Sequence, residues 1–542
     1  VSKPDVRPNL LASHRWWILT AAGCGLVVAL VLYPFAAPGA LLWRDMSIPP
    51  RMLLTADVFG WYGSWPRAVP QDAVLAMLSP IIPADVLARL WLAAALVAGL
   101  VGASWFAWRT TATRPLPVQV AAVGTVMLLC GCNGWVVERL LQGHWSLVAA
   151  AWLLIGASAA LLAQHRVVAL LLVWLATATP TGWLCVLLWM GCVLLSCGGF
   201  STPGRLRDGV GAALLLLTAA LPWAVPLLLR PAAVKSSDPL GELAAFAPRA
   251  EHSLSVVVSL AGLGGIWNAA SVPPSRTVLV VCAAAVVTVL AFRQWSHIAR
   301  PLRLLALAGV LLTVLPLVAP DVTGWLLLHV PAAGIVRDSQ KFLLLVLPAL
   351  LAGVAAWFHS STAGARLVQL LLVVLCLFPV PGMVHDIAVL RPTTHYDAAL
   401  VAAFDTARSQ SGCRQVIDDN TDLVRTVSGR QFVNPVIKAV GAIPAETLIV
   451  DGRIVSGGNP QQHALRQAAA TGDHEQLVRA GVGSVWSPDG QQHTVVQPVC
   501  QPQRTTLVTI RVLTWSWLLL PGWILFLQWR RRYRRRHPVA RL

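Results

Sequence analysis

Trp17-Ile18-Leu19-Thr20-Ala21-Ala22-Gly23-Cys24-Gly25-Leu26-Val27-Val28-Ala29-Leu30-Val31-Leu32-Tyr33-Pro34-Phe35-Ala36 is a stretch without a single charged side chain. As a helix it covers about 30 Å, the hydrocarbon thickness of a bilayer. It is long for the core of a secretory leader, and no small-residue cleavage site stands out before Pro38, so it reads as a retained span. Comparable runs recur as far as Trp529, near 16–36, 88–108, 116–132, 147–163, 167–179, 182–198, 209–229, 276–292, 303–319, 342–358, 367–385 and 507–528. About twelve transmembrane helices are therefore expected. The composition agrees: 56% of residues are apolar and 12% charged, and 24 are Trp, the residue of interfacial belts. A mean hydropathy of +0.67 lies outside the range of ordinary soluble domains.

The basic residues set an expected topology, because short cytoplasmic loops collect Lys and Arg. With the N-terminus inside, the cytoplasmic connections hold Arg109 and Arg114, Arg166, Arg205 and Arg207, Arg293, Arg300 and Arg303, and Arg366. Six arginines between Arg530 and Arg536 follow the last run and suit an anionic inner leaflet. This placement accounts for the net charge of +18, which is spread over loop ends instead of one basic domain. Nucleic acid is not an expected partner; membrane lipids are. The outer connections, Leu41 to Asp85, Asn133 to His144, Pro231 to Ser275 and Pro320 to Lys341, mix acids with bases, and function is sought there.

Arg391 to Arg504 is too polar to cross a membrane. Short β-like runs (Gln415 to Asp418, Thr447 to Asp451, Val482 to Trp486) alternate with helical ones (Ala398 to Arg408, Gln461 to Ala470, Asp473 to Ala480). A small extracytoplasmic α/β domain is expected. Eight of the ten cysteines sit in or beside the apolar runs, as small apolar fillers. Cys413 and Cys500 bracket the polar region, and a bridge between them would suit an oxidising compartment.

Three outer clusters carry chemistry. In Trp43-Arg44-Asp45-Met46-Ser47, Asp45 lies just beyond the first span with Arg44 beside it and Asp57 further on. A carboxylate there can accept a hydroxyl proton, or simply pair with a basic neighbour and shape the loop. In Asn133-Gly134-Trp135-Val136-Val137-Glu138-Arg139-Leu140-Leu141-Gln142-Gly143-His144, an acid, a cation and an imidazole meet near lipid, where partnering is expected. His144 can serve as a ligand, an acid–base group or a hydrogen-bonded interfacial residue. In Arg337-Asp338-Ser339-Gln340-Lys341-Phe342, Arg337 and Lys341 are four apart and would share a face of a helix. Two cations at a helix start suit a phosphate, while a salt bridge to Asp338 or an outer-loop acid, or snorkelling, are the plainer readings.

Arg249, Glu251 and His252 precede the glycine-rich run Gly262-Leu263-Gly264-Gly265. That run lacks the Lys-Ser/Thr ending of a phosphate loop, so it reads as a bend or a close-packing segment. No His-Glu-x-x-His stands out and Cys130 and Cys132 sit in an apolar helix end, so no metal ligand set is assigned. An oxygen-ligated divalent cation at Asp45 or Asp57 stays compatible with the sequence.

The order of first span, acidic outer loop, Asn133 to Trp145 motif and Arg337 to Phe342 motif resembles the large polytopic envelope proteins of mycobacteria and corynebacteria, which are similar to the GT-C class of membrane glycosyltransferases. The resemblance runs through about Phe342. It implies a GT-C-like transmembrane domain over 1–390, to which the polar and apolar runs add the α/β domain over 391–506 and a last helix with a basic cytoplasmic tail over 507–542. With the arginine pattern this makes a multi-pass plasma-membrane protein with both termini cytoplasmic and 391–506 outside. It also implies an inverting arabinofuranosyl- or mannosyltransferase that moves a sugar from a polyprenyl-phosphate donor to an envelope glycan or glycolipid acceptor. Asp45 would be the catalytic base with Asp57 in reserve. Arg44, Glu138, Arg139, His144, Arg337, Asp338 and Lys341 would bind substrate, Arg337 and Lys341 at the donor phosphate. Asp45 follows Arg44 alone here, where the family pattern has an adjacent acidic pair. The other class of function that fits is a non-catalytic lipid or glycolipid transport or scaffold factor.

Overall fold

The computed structural model describes residues 10–536 apart from 60, 62–64, 197–202, 230–237, 331, 411, 420–421, 426–428, 451–452, 457 and 496–503. Each of the twelve apolar runs falls on a helix, as expected of a helical membrane protein. Among the described residues, however, only eight helices are long and apolar enough for a full crossing: His14–Ala36, Ala84–Thr111, Leu116–Gln142, Trp145–Leu162, Gly209–Leu229, Arg300–Val318, Ala363–Leu390 and Val508–Trp529. Ser339–Leu345 and Leu347–Trp357 make a ninth if counted together, bent by 44°. The other three, Arg166–Ala176, Pro180–Ser196 and Val278–Arg293, are shorter apolar helices. Arg166–Ala176 and Pro180–Ser196 come from one apolar stretch cut by Pro180, whose ring and missing N–H end the preceding helix.

The helices bury large side chains between them. Trp135 and Trp152 are fully enclosed, and the Trp152 indole N–H donates to the Cys130 carbonyl at 3.0 Å. The polar region carries the expected elements: strands at Arg414–Ile417 (β3), Leu448–Val450 (β6) and Val482–Trp486 (β8), with helices Asp397–Ser409, Pro460–Thr471 and His474–Arg479. β3 pairs parallel with β8, and β8 antiparallel with Gln492–Val495 (β9). The sequence reading did not anticipate β9, the Leu423–Arg425 and Gln431–Val433 pair (β4, β5), Arg453–Ser456 (β7) or the helix Pro435–Val440. Segments of three to six residues hold too few alternations to show a period.

This α/β unit is stitched to the first outer connection. Leu41–Trp43 (β1) and Met46–Ile48 (β2) form a hairpin with Arg44 and Asp45 at its turn. The Arg44 N–H donates to the Gln431 carbonyl at 2.9 Å, and the Val433 N–H to the Arg44 carbonyl at 2.8 Å. Ala40 and Leu42 share a buried cluster with Phe432, Val436 and Trp486. A 2.9 Å ion pair between Lys438 and Asp72 ties a second point. The hairpin bearing Asp45 is therefore held between the helices and the α/β unit. Cys413 is disulfide-bonded; Cys500 lies outside the described residues.

Candidate functional site

The stretch expected to be an outer connection, Asn133 to His144, is mostly a helix, Gly134–Gln142, every residue of which is buried. Asn133 caps its start, its side-chain oxygen accepting from the Val136 N–H at 3.1 Å. Gly143 ends it at φ +88, a left-handed cap that glycine adopts freely. A Cβ on Gly143 would fall 2.3 Å from the Met46 nitrogen. Its absence lets the hairpin turn sit on the helix end, where the Asp45 N–H donates to the Gln142 carbonyl at 3.2 Å.

That seat brings Asp45 to His144. His144 Nε2 lies 3.0 Å from Asp45 Oδ2, and the Gln142 side-chain amide donates to the same oxygen at 2.9 Å. No donor reaches Oδ1 among the described residues, and the Asp45 side chain keeps 44% of its surface exposed. Burial acts to raise this carboxyl, but the hydrogen bonds from His144 and Gln142 and the charge of the nearby Arg67 outweigh it, so its pKa is lowered. The group is ionised at neutral pH with one oxygen open.

Behind His144 the network runs inward. Arg139 NH1 donates to His144 Nδ1 at 3.0 Å and to Asp338 Oδ2 at 2.5 Å, while NH2 donates to Asp338 Oδ1 at 2.8 Å. Arg139 Nε donates to Gln340 Oε1 at 3.0 Å. Gln340 passes on through its amide to Glu138 at 3.3 Å and the Gly264 carbonyl at 3.1 Å. Glu138 faces Arg276 at 3.2 Å, and Arg276 is also held by Glu251 at 2.6 Å. The glycine-rich run is the close-packing segment expected of it, since a Cβ on Gly264 would fall 2.1 Å from the Arg276 guanidinium. Glu138, Arg139 and Arg276 are completely enclosed. Five ionisable side chains enclosed together demand such pairing, because a lone buried charge costs several kcal/mol.

Arg337 and Lys341 do not share one helix. Arg337 ends the 3₁₀ turn Ala333–Val336, the chain breaks at Asp338 to meet Arg139, and Lys341 lies in a second 3₁₀ segment, Ser339–Leu345. The Arg337 guanidinium is already engaged, ion-paired to Glu242 and stacked 4.3 Å from the Phe246 ring. The outer-loop acid among the plainer readings is thus Glu242. Burial and the charge of Arg67 push the Arg337 pKa down to about 9. Lys341 is buried yet meets no carboxylate among the described residues; its ammonium lies 5.5 Å from the Phe342 ring. Arg44 turns away from Asp45 and donates to the Ala270 carbonyl at 2.7 Å. Asp57 opens the short turn Asp57–Phe59, and its side chain lies outside the described residues.

Sequence reasoning missed Gln142, Gln340, Glu242, Arg276 and Arg67. The two glutamines lie inside stretches already singled out, and a polar side chain in an otherwise apolar helix face was the available signal. Arg67 is 57% exposed, 4.0 Å from Glu446, and its charge acts on both Asp45 and Arg337. Nothing in its local pattern marks it. Among the described residues no three His, Cys, Asp or Glu side chains gather as metal ligands. The nitrogen that His144 turns to Asp45 is moreover occupied by that contact.

Asp338 gives the network a pH signature. Burial acts to raise its carboxyl, but Arg139, by charge and by hydrogen bond, holds it at about 2. A folded pKa below the unfolded value of about 3.9 stabilises the fold fully above pH ~4, and that contribution is lost as pH falls through ~2. Thermal unfolding in detergent should show a loss of about 2 kcal/mol across that window in the wild type. An Asp338→Asn chain whose acid limb matched the wild type would refute the assignment.

No family model matches this chain, and no curated protein matches it. Among solved structures it is similar to the Archaeoglobus fulgidus oligosaccharyltransferase, crystallised in complex with Zn and sulfate. The identity is 12% and the TM-score 0.38, over 86% of this chain and 67% of that one. A likeness of this degree says nothing about donor or acceptor.

Proposed function

We propose that this protein is a GT-C-like membrane glycosyltransferase of the cell envelope that moves a sugar from a polyprenyl-phosphate donor to a glycan or glycolipid hydroxyl. The observation that carries the reading is Asp45: an ionised, half-open carboxylate whose Oδ2 holds two hydrogen bonds and whose Oδ1 is free, joined through His144 and Arg139 to Asp338, whose charge also acts on the buried Lys341 ammonium. The acceptor hydroxyl oxygen attacks the anomeric carbon and forms the new glycosidic bond. The bond from that carbon to the phosphate oxygen breaks, its electron pair leaves on polyprenyl phosphate, and the hydroxyl proton passes to Asp45 Oδ1. Attack from the face opposite the leaving group inverts the anomeric centre. Lys341 supplies the cation for the phosphate, and the charge of Arg67, which acts on Asp45, adds to it; charge placed where negative charge develops is the largest common source of rate enhancement. Arg337, neutralised by Glu242, walls the site instead of binding the phosphate.

The positive loop ends and the bonded Cys413 support a chain with both termini cytoplasmic and the α/β unit outside, since disulfides persist in oxidising compartments. In intact cells Cys413 should resist a membrane-impermeant maleimide until a reductant is added; labelling without reductant would refute that placement.

The function is tested with full-length protein in liposomes given radiolabelled polyprenyl-phosphate arabinofuranose and mannose with an envelope glycan extract. Label in the glycan with one of these donors is the expected result. Donor binding with no transfer under any condition would overturn the enzyme and leave the transport reading.

A further inference from the structure

The contacts from Asp45 through His144 to Arg139 have a direction, and the direction locates a proton. A guanidinium has five N–H donors and no acceptor. Arg139 NH1 lies 3.0 Å from His144 Nδ1, so Nδ1 is the bare, accepting nitrogen. The ring proton then sits on Nε2, 3.0 Å from Asp45 Oδ2. Arg139 has no freedom to turn away, because Asp338 takes both terminal nitrogens and Gln340 takes Nε, all without solvent.

We propose that His144 is a positioning residue for Asp45: Arg139 locks its ring as the Nε2–H tautomer, and that N–H pins Oδ2 so that Oδ1 faces the acceptor hydroxyl. The inference deepens the proposed function and rests on Asp45 being the base. It removes His144 from the groups that contact substrate or carry the transferred proton. Nε2 is already protonated and Nδ1 is covered by a cation, so the ring has no basic nitrogen to offer. Gln142 fixes the same oxygen from the side, and is itself oriented by donation from Asn268 at 2.8 Å and Ser271 at 2.7 Å to its carbonyl. The charged groups facing the ring are Asp45 from the hairpin, Arg139 from the buried helix and Asp338 from the break before Lys341. A second ring proton would have to displace the Arg139 N–H from Nδ1.

Two variants and one spectrum test this. In His144→Gln the amide N–H can still reach Oδ2, whereas His144→Ala leaves that oxygen with Gln142 alone. His144→Ala should lose about 100-fold in kcat with little change in KM, and the acid limb of its pH–rate profile should move to higher pH as Asp45 loses a donor. His144→Gln should stay within about tenfold of wild type and keep the acid limb low. A Gln variant as inactive as the Ala variant would overturn the proposal and make the imidazole a proton carrier. The ring itself is read by 15N spectra of the histidine-labelled full chain in detergent, with His144 assigned by its disappearance in His144→Gln. A neutral ring protonated at Nε2 at pH 7 is expected; a ring protonated at Nδ1, or at both nitrogens, overturns the lock. That readout needs no turnover. If no donor were ever used, the spectrum would still decide the tautomer, and only the transferase reading would fall.

Discussion

Asp45→Asn should abolish sugar transfer, lowering the rate by roughly 10²–10⁴-fold, the usual contribution of a positioned general base. The substitution is nearly isosteric. The Asn carbonyl can take the place of Oδ2 and keep the bonds from His144 and Gln142, which leaves the NH₂ where Oδ1 was. An amide there can donate but cannot accept a proton, so the geometry survives and the chemistry does not. Donor affinity should stay within about threefold, because the proposed phosphate cation is Lys341 and the loss falls on a step after binding. Initial rates with labelled donor, set beside equilibrium donor binding, separate the two. Transfer within threefold of wild type would remove Asp45 from catalysis. Loss of donor binding would show instead that the hairpin had shifted off the Gly134–Gln142 helix.

The lowered pKa of Asp45 sets what kind of base it can be. A carboxylate holding two donors is ionised at neutral pH and weakly basic, so it suits a hydroxyl that sheds its proton late, once the bond to the anomeric carbon is well formed. In the proposed reaction, Lys341 and Arg67 at the leaving phosphate would favour that order by assisting bond breaking first.

What the sequence made legible follows its physics. Long uncharged runs and loop arginines act locally, and each of the twelve runs did become a helix; three were short because an isolated apolar segment does not reveal whether its length reaches across a bilayer. The three motif clusters were also visible, because ionisable residues beside lipid are costly and stand out. Their pairing was not. Arg139 meets Asp338 across 199 positions, and Asp45 meets Gln142 across 97, which no spacing rule within a motif can show. The reading of Arg337 with Lys341 on one face failed at a single residue, Asp338, where a tertiary ion pair overrode the local helical preference. Arg67 was invisible for the opposite reason: a half-exposed arginine in a loop has no local signature, and only the fold brings its charge to Asp45.

Arg139→Met should be the most damaging change to stability, at about 3–5 kcal/mol, because it strands the Asp338 carboxylate and the Gln340 carbonyl out of water. Methionine nearly fills the volume, so the cost is charge and not a cavity. The double variant Arg139→Met with Asp338→Leu removes both charges and should recover most of that loss, since apolar replacement of a whole buried pair is often neutral. Denaturant midpoints followed by Trp fluorescence in detergent would measure both. Activity should part company with stability here. With Arg139 gone, nothing holds His144 Nδ1 bare, so the double variant should fold and still transfer slowly, with an acid limb displaced from wild type. A single variant within 1 kcal/mol of wild type would mean that water reaches Asp338 and that the pair is peripheral. A double variant with full activity would show that Asp45 needs no support from the buried network, and that its reactivity is set at the hairpin alone.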